Sequence, residues 1–156
     1  MAAIYYPPTS FSFKVEFLGI SGMNNQEEQR FRDVSGLSFE IETELFTEGG
    51  ENRFEYKLPK RIKYPNLVLK RGLVTNSGLI QWMKDAASSF FNVAVYDFKP
   101  SDILISLLNE SGDPLAVWQV VQAYPVKWNV SGFSANDNSL AIETMEFAYQ
   151  YFERKL

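Results

Sequence analysis

The chain of 156 residues contains no cysteine and no histidine. The absence of both excludes disulfide frameworks, thiol chemistry and the catalytic triads and dyads that depend on these side chains. It also removes the side chains of the usual zinc sites. We therefore expect no catalytic residue of these types, no bound metal and no cofactor. The lack of cysteine also agrees with a reducing compartment.

Segments that direct a protein to a membrane are missing as well. The first ten residues, MAAIYYPPTS, have neither the basic nor the apolar stretch of a signal peptide. No apolar run approaches the roughly 20 residues that a membrane-spanning helix needs. We expect a protein that is made in the cytoplasm without a signal peptide and that does not itself insert into a membrane.

The charge of the chain gives little reason to bind nucleic acid. The formal net charge is −4, so the molecule as a whole is not attracted to polyanions, and neither phosphate-binding glycine motif, GxxxxGK[ST] or GxGxxG, occurs. A basic cluster beside two tyrosines could still hold phosphates and stack bases; it comprises Lys57, Lys60, Arg61, Lys63, Lys70, Arg71, Tyr56 and Tyr64. Because an acidic segment lies next to this cluster, we prefer ion pairing between strands and expect no specific nucleic-acid binding.

Carboxylates remain as candidate catalytic groups. Asp and Glu total 19, and Glu40, Glu42 and Glu44 form a row that a glycoside hydrolase could use. A spacing of two residues is, however, that of the solvent-exposed face of a strand. Nothing in the sequence forces two of these groups into one apolar pocket, so we predict that the chain is not an enzyme.

Aromatic residues, in contrast, are abundant, with thirteen Phe, eight Tyr and three Trp making up 15% of the chain. They favour strands and interfaces. Alternation of apolar and polar residues predicts a half-buried strand at 11–17. Further strands are expected at 67–70, 103–108, 117–123, 126–130 and 140–152. Pro125 is expected at an edge, bend or bulge because it has no N–H for the ladder.

The last predicted strand, 140–152, has apolar residues on both faces. A strand of this kind is covered on both sides. We therefore expect it at the centre of the fold, with Ile142, Met145, Phe147 and Tyr149 buried. The three tryptophans, Trp82, Trp118 and Trp128, are also expected to pack in the core rather than to mark a ligand pocket.

One helix is expected. Asn76 and Ser77 are good N-cap residues. The apolar residues that follow recur at spacings of three and four and predict an amphipathic helix of about three turns; they are Leu79, Trp82, Met83, Ala86 and Phe90. About seven strands, one helix and no internal repeat predict a single, mainly β domain over 1–156, built as a β-barrel or sandwich.

The most informative segment is 34–73, which predicts a long β-hairpin. Apolar residues at Leu37, Phe39, Ile41 and Leu45 alternate with Ser38 and the glutamate row, so one face is expected to be buried and the other wet. A Gly49-Gly50 tip follows, where we expect positive φ angles. Alternation then resumes through Phe54, Tyr56 and Leu58, and Pro59 and Pro65 are expected to mark the exit from the hairpin.

Charge reverses along this hairpin. Residues 40–51 carry five Glu and no cation, whereas residues 53–71 carry seven Lys or Arg and one Glu. An acidic arm and a basic arm suit pairing with another copy of the chain. Head-to-tail contacts of this type give rings when they close and filaments when they do not.

The order of these features resembles the tail-tube family of contractile phages and extracellular contractile injection systems, with type VI secretion tube proteins as more distant relatives. The resemblance covers nearly the whole chain and is carried by nine pieces in order: FSFKVEF at 11–17, FRDVSGL at 31–37, EGGENRF at 48–54, LP at 58–59, YPNLVLKRGL at 64–73, the helix with Trp82, ISLLNESGDPLAVW at 105–118, AYPVKW at 123–128 and AIETMEFAYQYF at 141–152.

The resemblance implies two packed antiparallel sheets forming a barrel, with one flanking helix and a long protruding hairpin. It implies a homo-hexameric ring, stacking of rings into a tube through the hairpin, and contacts with a spike hub or baseplate and a surrounding sheath. It also implies that the chain is part of a phage tail-like particle released outside the cell. The segments PPTSFSFKVEF and EGGENRF are more similar to the tube-initiating layer, which joins the hub to the tube, than to the main tube subunit.

The residues predicted to form the subunit interface all lie on the hairpin: Glu40, Glu42, Glu44, Glu48, Gly49, Gly50, Glu51, Asn52, Arg53, Lys57, Lys60 and Arg61. The alternative interpretation is a carbohydrate- or peptide-binding β-sandwich, in which surface aromatic residues would form the ligand platform.

Overall fold

Nine strands and one helix make up the described part of the chain. A computed structural model describes residues 12–20, 22–23, 31–50, 52–91, 99–133 and 140–156. The elements in chain order are β1 (Ser12–Leu18), β2 (Asp33–Ser35), β3 (Glu40–Phe46), β4 (Tyr56–Lys63), β5 (Leu67–Gly72), α1 (Gly78–Phe91), β6 (Ser101–Leu108), β7 (Pro114–Val130), β8 (Ile142–Ala148) and β9 (Tyr151–Arg154). The mainly β prediction is confirmed. Residue 11 of the first predicted strand lies outside the described residues.

All strand pairs are antiparallel, and they form two separate groups. The main path runs β1-β6-β7-β8-β5-β2, with β9 also paired to β7, and β3 and β4 pair only with each other. The path folds over itself. Phe17 on β1 and Phe147 on β8 have ring centroids 5.7 Å apart, although strands three positions apart in a flat sheet would be separated by about 14 Å.

The fold-over occurs at a corner within β7. Its first half pairs with β6 and β9, and its second half pairs with β8. Between the halves Gln122 has a φ of 53°, which non-glycine residues seldom adopt. Its N–H donates to Asp102 Oδ1 at 2.9 Å, and the side chain of Gln119 donates to Asp102 Oδ2 at 2.9 Å. The Asp102 carboxylate thus fixes the corner.

Two sequence predictions change at this corner. The strand that was expected to break at Pro125 is instead one continuous strand of 17 residues. Pro125 does lie beside a bulge, as predicted, because the register shifts between Pro125 and Lys127. The prediction of a single C-terminal strand over 140–152 is wrong, since this segment forms two strands, β8 and β9. The division lies opposite the β7 corner, where the Gln150 N–H donates to the Val121 carbonyl at 3.1 Å.

The core lies between the two layers. Phe147, Met145 and Leu69 of one layer and Ile103 and Val120 of the other are fully buried. Each large apolar side chain buried in this way contributes about 1.5–3 kcal/mol. Burial of Met145 and Phe147 confirms the prediction for β8. Ile142 and Tyr149 are only half-buried, which corrects the prediction for them.

Helix α1 covers one end of this core. Leu79 and Met83 are buried, and Trp82 stacks on Phe147 at a centroid distance of 6.0 Å. Ser77 is the N-cap, as predicted, because its Oγ accepts the Ile80 N–H at 3.5 Å. The side chain of Phe90 lies outside the described residues. Trp82 and Trp118 pack against the core, but the prediction for Trp128 is wrong, because that side chain is 44% exposed.

An ion pair is enclosed in the same core. Arg71 on β5 and Glu143 on β8 are register partners, and Arg71 Nε donates to Glu143 Oε2 at 3.0 Å. The guanidinium also donates to Ser77 Oγ at 2.7 Å and lies 5.5 Å from the centre of the Phe31 ring. Both side chains are essentially inaccessible to solvent. Arg71 therefore joins β5 and β8 of one layer to the start of α1.

The closed barrel is not seen in the described strands, where β1 pairs only with β6 and β2 pairs only with β5. The prediction of two packed antiparallel layers with one flanking helix describes the main path well. Within the described residues, no helix combines the length and the apolar character required to span a bilayer.

Candidate assembly surface

The hairpin formed by β3, β4 and their connection is the candidate site, because its two strands are exposed. Among the described elements, the backbones of β3 and β4 approach only one another. Every residue of β4 is exposed, and in β3 only Glu42 is partly covered. The prediction of one buried face is therefore wrong for the isolated subunit, although the alternation that suggested a strand pair is real.

The two faces of the hairpin differ in chemistry. Residues directly opposite in an antiparallel pair lie on the same face, so Ile41 and its partner Ile62 share a face with Leu45. We call this the apolar face, and about half of the surface of each of these three side chains is exposed. Contiguous exposed apolar surface is typical of sites that contact another protein, a membrane or a ligand.

The opposite face carries the paired charges near the root and three exposed apolar or aromatic side chains, Leu58, Phe46 and Tyr56, near the tip. A bulge sets its pattern. The register shifts between Glu42 and Thr43, so that Glu42 pairs with Arg61 and Thr43 with Pro59, and Lys60 is the extra residue. Pro59 does not mark the exit from the hairpin, as the sequence suggested, but lies inside β4. Proline has no N–H for a ladder bond, and a bulge is one of the few strand positions that accept it.

The acidic and basic arms pair within the hairpin. Glu42 contacts both Arg61 and Lys63, and Glu44 lies 3.7 Å from the Lys60 ammonium. The hydrogen bond from Lys63, followed by that from Arg61, lowers the pKa of the Glu42 carboxyl. Charge therefore matches the strands of one hairpin to each other, which is the interpretation preferred over nucleic-acid binding.

The basic cluster is smaller than the sequence suggested. Arg71 is buried against Glu143 and cannot meet a phosphate. Lys57 is paired in register with Leu45 and so lies on the apolar face, away from Arg61 and Lys63. No group of three or more acidic side chains among the described residues could hold a metal ion.

The tip of the hairpin contains the remaining predicted interface residues. Gly50 has a φ of 103°, as expected, whereas Gly49 does not have a positive φ. Both glycines, with Glu48, Asn52 and Arg53, are exposed. Glu51 lies outside the described residues. The structure thus brings the tip residues to the far end of the hairpin and the paired charges to its middle.

The root of the hairpin was missed by sequence reasoning. Tyr149 donates its hydroxyl to the Gly36 carbonyl, just before β3, at 3.0 Å. Its ring also lies 5.7 Å from Tyr64, just after β4, and 6.3 Å from Phe152. Burial, and secondarily Tyr64, raises the pKa of Tyr149 to about 12. One tyrosine therefore touches both ends of the hairpin.

Gly36 completes this root. Its φ is +96°, and a Cβ placed there would lie 2.1 Å from the Asn66 carbonyl oxygen. Only glycine fits such a position. The glycine of the VSG at 34–36, just before the hairpin, was the one signal in the sequence for this tight position. The close approach of Asn66, 30 positions later, could not be read from it.

Comparison with known proteins places this fold. The family model for the T4-like virus tail tube protein gp19 matches residues 9–153. A chain in the cryo-EM structure of the anti-feeding prophage (AFP) baseplate, symmetrised six-fold, is 27% identical, with a TM-score of 0.79 over 98% of this chain and 100% of that one. No curated protein sequence matches significantly.

More distant structures share the fold alone. A chain in the extended sheath-tube complex of the PVC extracellular contractile injection system is 22% identical, with a TM-score of 0.75 over 97% of this chain and 93% of that one. Hcp1 from Salmonella typhimurium is 12% identical, with a TM-score of 0.58 over 92% of this chain and 85% of that one. Since the family model spans nearly the whole sequence, the chain belongs to the T4-like virus tail tube protein family.

Proposed function

We propose that this tail tube family member is a structural subunit of a contractile injection system or phage tail, in which six copies form a ring and rings stack into a hollow tube. The observation that carries the proposal is the apolar face of the hairpin, which stays about half exposed and is approached by no other described element. A two-stranded hairpin by itself is only marginally stable in water. A neighbouring copy would supply the missing cover.

The same proposal sets the position and surroundings of the subunit. The similarity to a baseplate chain supports a place in the tube-initiating layer, between the spike hub and the main tube. The sheath would surround the ring, and the finished particle would be released outside the cell. Residues 1–156 are proposed to form one tail-tube domain that has no catalytic activity and is made in the cytoplasm.

Barrel closure belongs to this proposal too. In a subunit of the assembled ring, β1 and β2, which end the described path of strands, would pair with each other and close the barrel, so that their amides become protected. Hydrogen exchange of the assembled and the free protein tests this directly. Amides of β1 and β2 that exchange equally fast in both forms would contradict closure.

Negative-stain microscopy of the purified protein tests the function, with six-fold rings or short tubes as the expected result. A subunit of the initiating layer should stop at one or a few rings, whereas a main tube subunit should continue into long tubes. A protein that stays monomeric at high concentration and binds an immobilised glycan or peptide would instead favour a binding module.

A matched pair of variants tests the role of the apolar face. Ile41→Ser with Ile62→Ser changes one register pair on that face, and Glu40→Ser with Lys63→Ser changes the adjacent register pair on the charged face. The first variant should lose ring formation while its circular dichroism spectrum stays that of wild type, and the second should assemble. Equal loss in both would show that the apolar face has no special role.

A further inference from the structure

The second half of β7 has an open edge. Residues 124–130 pair with β8 on one side, whereas pairing with β6 ends at Ala123. No described strand occupies the other side. An open edge presents unpaired N–H and C=O groups that can accept another strand.

A groove of about 480 Å³ runs along this edge, with α1 as its opposite wall. Five consecutive strand residues, 124–128, line it. Because successive side chains point to opposite faces, a groove that touches all five must follow the edge of the strand. From the helix, Ile80, Met83, Lys84 and Ala87 line it at spacings of three and four, so they form one helix face.

A strand edge facing an apolar helix wall is the arrangement in which extended segments bind by adding a strand. Main-chain hydrogen bonds would form with β7, and apolar side chains would enter between Val126 or Trp128 and the helix. Val126 and Trp128 are each nearly half exposed. The groove therefore has both components of such a site without an occupant from its own subunit.

The structure assigns this groove to the β3 strand of a second copy of the chain. β3 can occupy it, because among the described strands it pairs with β4 along one edge and with no strand along the other. Its seven residues span about 23 Å and the five groove residues about 16 Å. The inference rests on the proposed function and specifies which surface of the neighbour receives the hairpin.

Charge selects β3 rather than β4. The groove carries Lys84 on the helix and Lys127 on the strand. The ammonium of Lys127 lies 3.4 Å from Glu146, so that charge is already partly compensated. β3 has three glutamates and no cation, whereas β4 has three lysines, one arginine and no acidic residue. Glu42 and Glu44 already pair with cations of β4, so the attraction comes from Glu40 with Lys84, whereas the basic strand β4 in the same place would add repulsion.

The absence of native cysteine makes the test direct. One variant carries Thr43→Cys on β3 and a second carries Val126→Cys in the groove. The two are mixed under assembly conditions and treated with a short bis-maleimide. The matched control replaces Val126→Cys with Leu115→Cys, an exposed position near the other end of the same strand. We expect covalent dimers joined through positions 43 and 126 at a yield several-fold above that of the control pair, positions 43 and 115.

Two further measurements make the outcome decisive. Lys84→Glu in the groove variant should lower the cross-linking yield several-fold, because it opposes the acidic strand. Trp128→Cys replaces Val126→Cys if that variant does not give the wild-type circular dichroism spectrum. In assembled protein the groove should be covered, so that a cysteine introduced at position 126 reacts more slowly with a monofunctional maleimide than in the free subunit.

Rings or tubes that form without cross-linking above the control would overturn the groove assignment and leave the proposed function intact. The same holds if position 126 stays fully reactive in the assembled particle, since the groove would then await a different protein. If neither particles nor cross-links form at any concentration, the proposed function and the inference are both overturned. Cross-linked dimers without rings would support the groove and contradict the ring.

Discussion

Two arginine–glutamate pairs join neighbouring strands in this molecule, one in the core and one in the hairpin. Arg71 and Glu143 are register partners between β5 and β8, and Arg61 and Glu42 are register partners between β3 and β4. The first pair is inaccessible to solvent, while the arginine of the second is largely exposed. The same chemistry in the same cross-strand geometry therefore has two different consequences.

Burial decides the difference. A buried pair has lost its hydration, so removal of one partner leaves an uncompensated charge in the core. Forming or breaking an exposed pair changes the free energy of unfolding little, because water solvates the separated charges. The core pair accordingly determines whether the subunit folds. The hairpin pairs match two strands, but the backbone ladder and the root fix where those strands lie.

The largest effect is expected from Glu143→Gln, which leaves Arg71 buried without its counter-charge. We expect a loss of about 3–5 kcal/mol in the free energy of unfolding, measured by urea denaturation. The double variant Arg71→Met with Glu143→Leu should recover much of this loss, since it removes both charges. A loss below about 1 kcal/mol for the single variant would remove the distinction between the two pairs.

Gly36→Ala should have the next largest effect, because it acts where core and hairpin meet. The new Cβ would collide with the Asn66 carbonyl at a positive φ, at a cost of about 1–3 kcal/mol. Gly72→Ala is the control, since that glycine has open space and no positive φ. It should change the free energy of unfolding by less than about 0.5 kcal/mol. Equal thermal shifts for both alanines would contradict this account of the root.

Tyr149→Phe should have a smaller effect, because it deletes one partly buried hydrogen bond, worth about 0.5–1.5 kcal/mol. The pKa of Tyr149 is raised from the ordinary 10 to about 12, so the folded state favours the neutral phenol. The resulting stabilisation is complete below pH 10 and is lost as the pH rises through 12. The free energy of unfolding, measured between pH 9 and 12, should therefore fall less steeply with pH in the variant than in wild type. Parallel curves would show that Tyr149 titrates as it does in the unfolded chain.

The smallest effect on folding is expected from Lys63→Gln in the hairpin. The subunit should melt at the wild-type temperature, because the pair is exposed. The pKa of Glu42 should rise, because its largest stabilising partner is removed. In wild type that pKa lies below 4.5, so the small stabilisation is present above pH 4.5 and is lost as the pH falls. An NMR titration of the Glu42 carboxyl reports both values, and an unchanged pKa would show that Arg61 alone holds the carboxylate.

Local patterns predicted much of the fold. Alternation at Val15 and Phe17 located β1, the apolar spacing after Ser77 located α1, and Pro125 marked a bulge in β7. The hairpin was also found, but its apolar face was expected to be buried. Alternation reports that a strand is amphipathic, and it carries no information on whether the cover comes from the same subunit or from another.

The features that were missed depend on distant partners. Arg71 was assigned to a surface cluster because its partner Glu143 is 72 positions away and the pairing of β5 with β8 cannot be read locally. The division of the C-terminal strand was missed because its cause is the corner at Gln122 on another strand. The interface residues chosen from the sequence lie together on the hairpin, and their contacts with a neighbour stay a prediction.

The hairpin with two open edges has a consequence for the cell that makes this protein. Such edges are templates for further strand pairing. Under the proposed function, each free copy would be competent to polymerise from the moment it folds, and the supply of free copies would control where and when particles begin. Overproduction should accordingly yield misplaced polymers in proportion to the excess, and the timing of synthesis becomes part of the assembly mechanism.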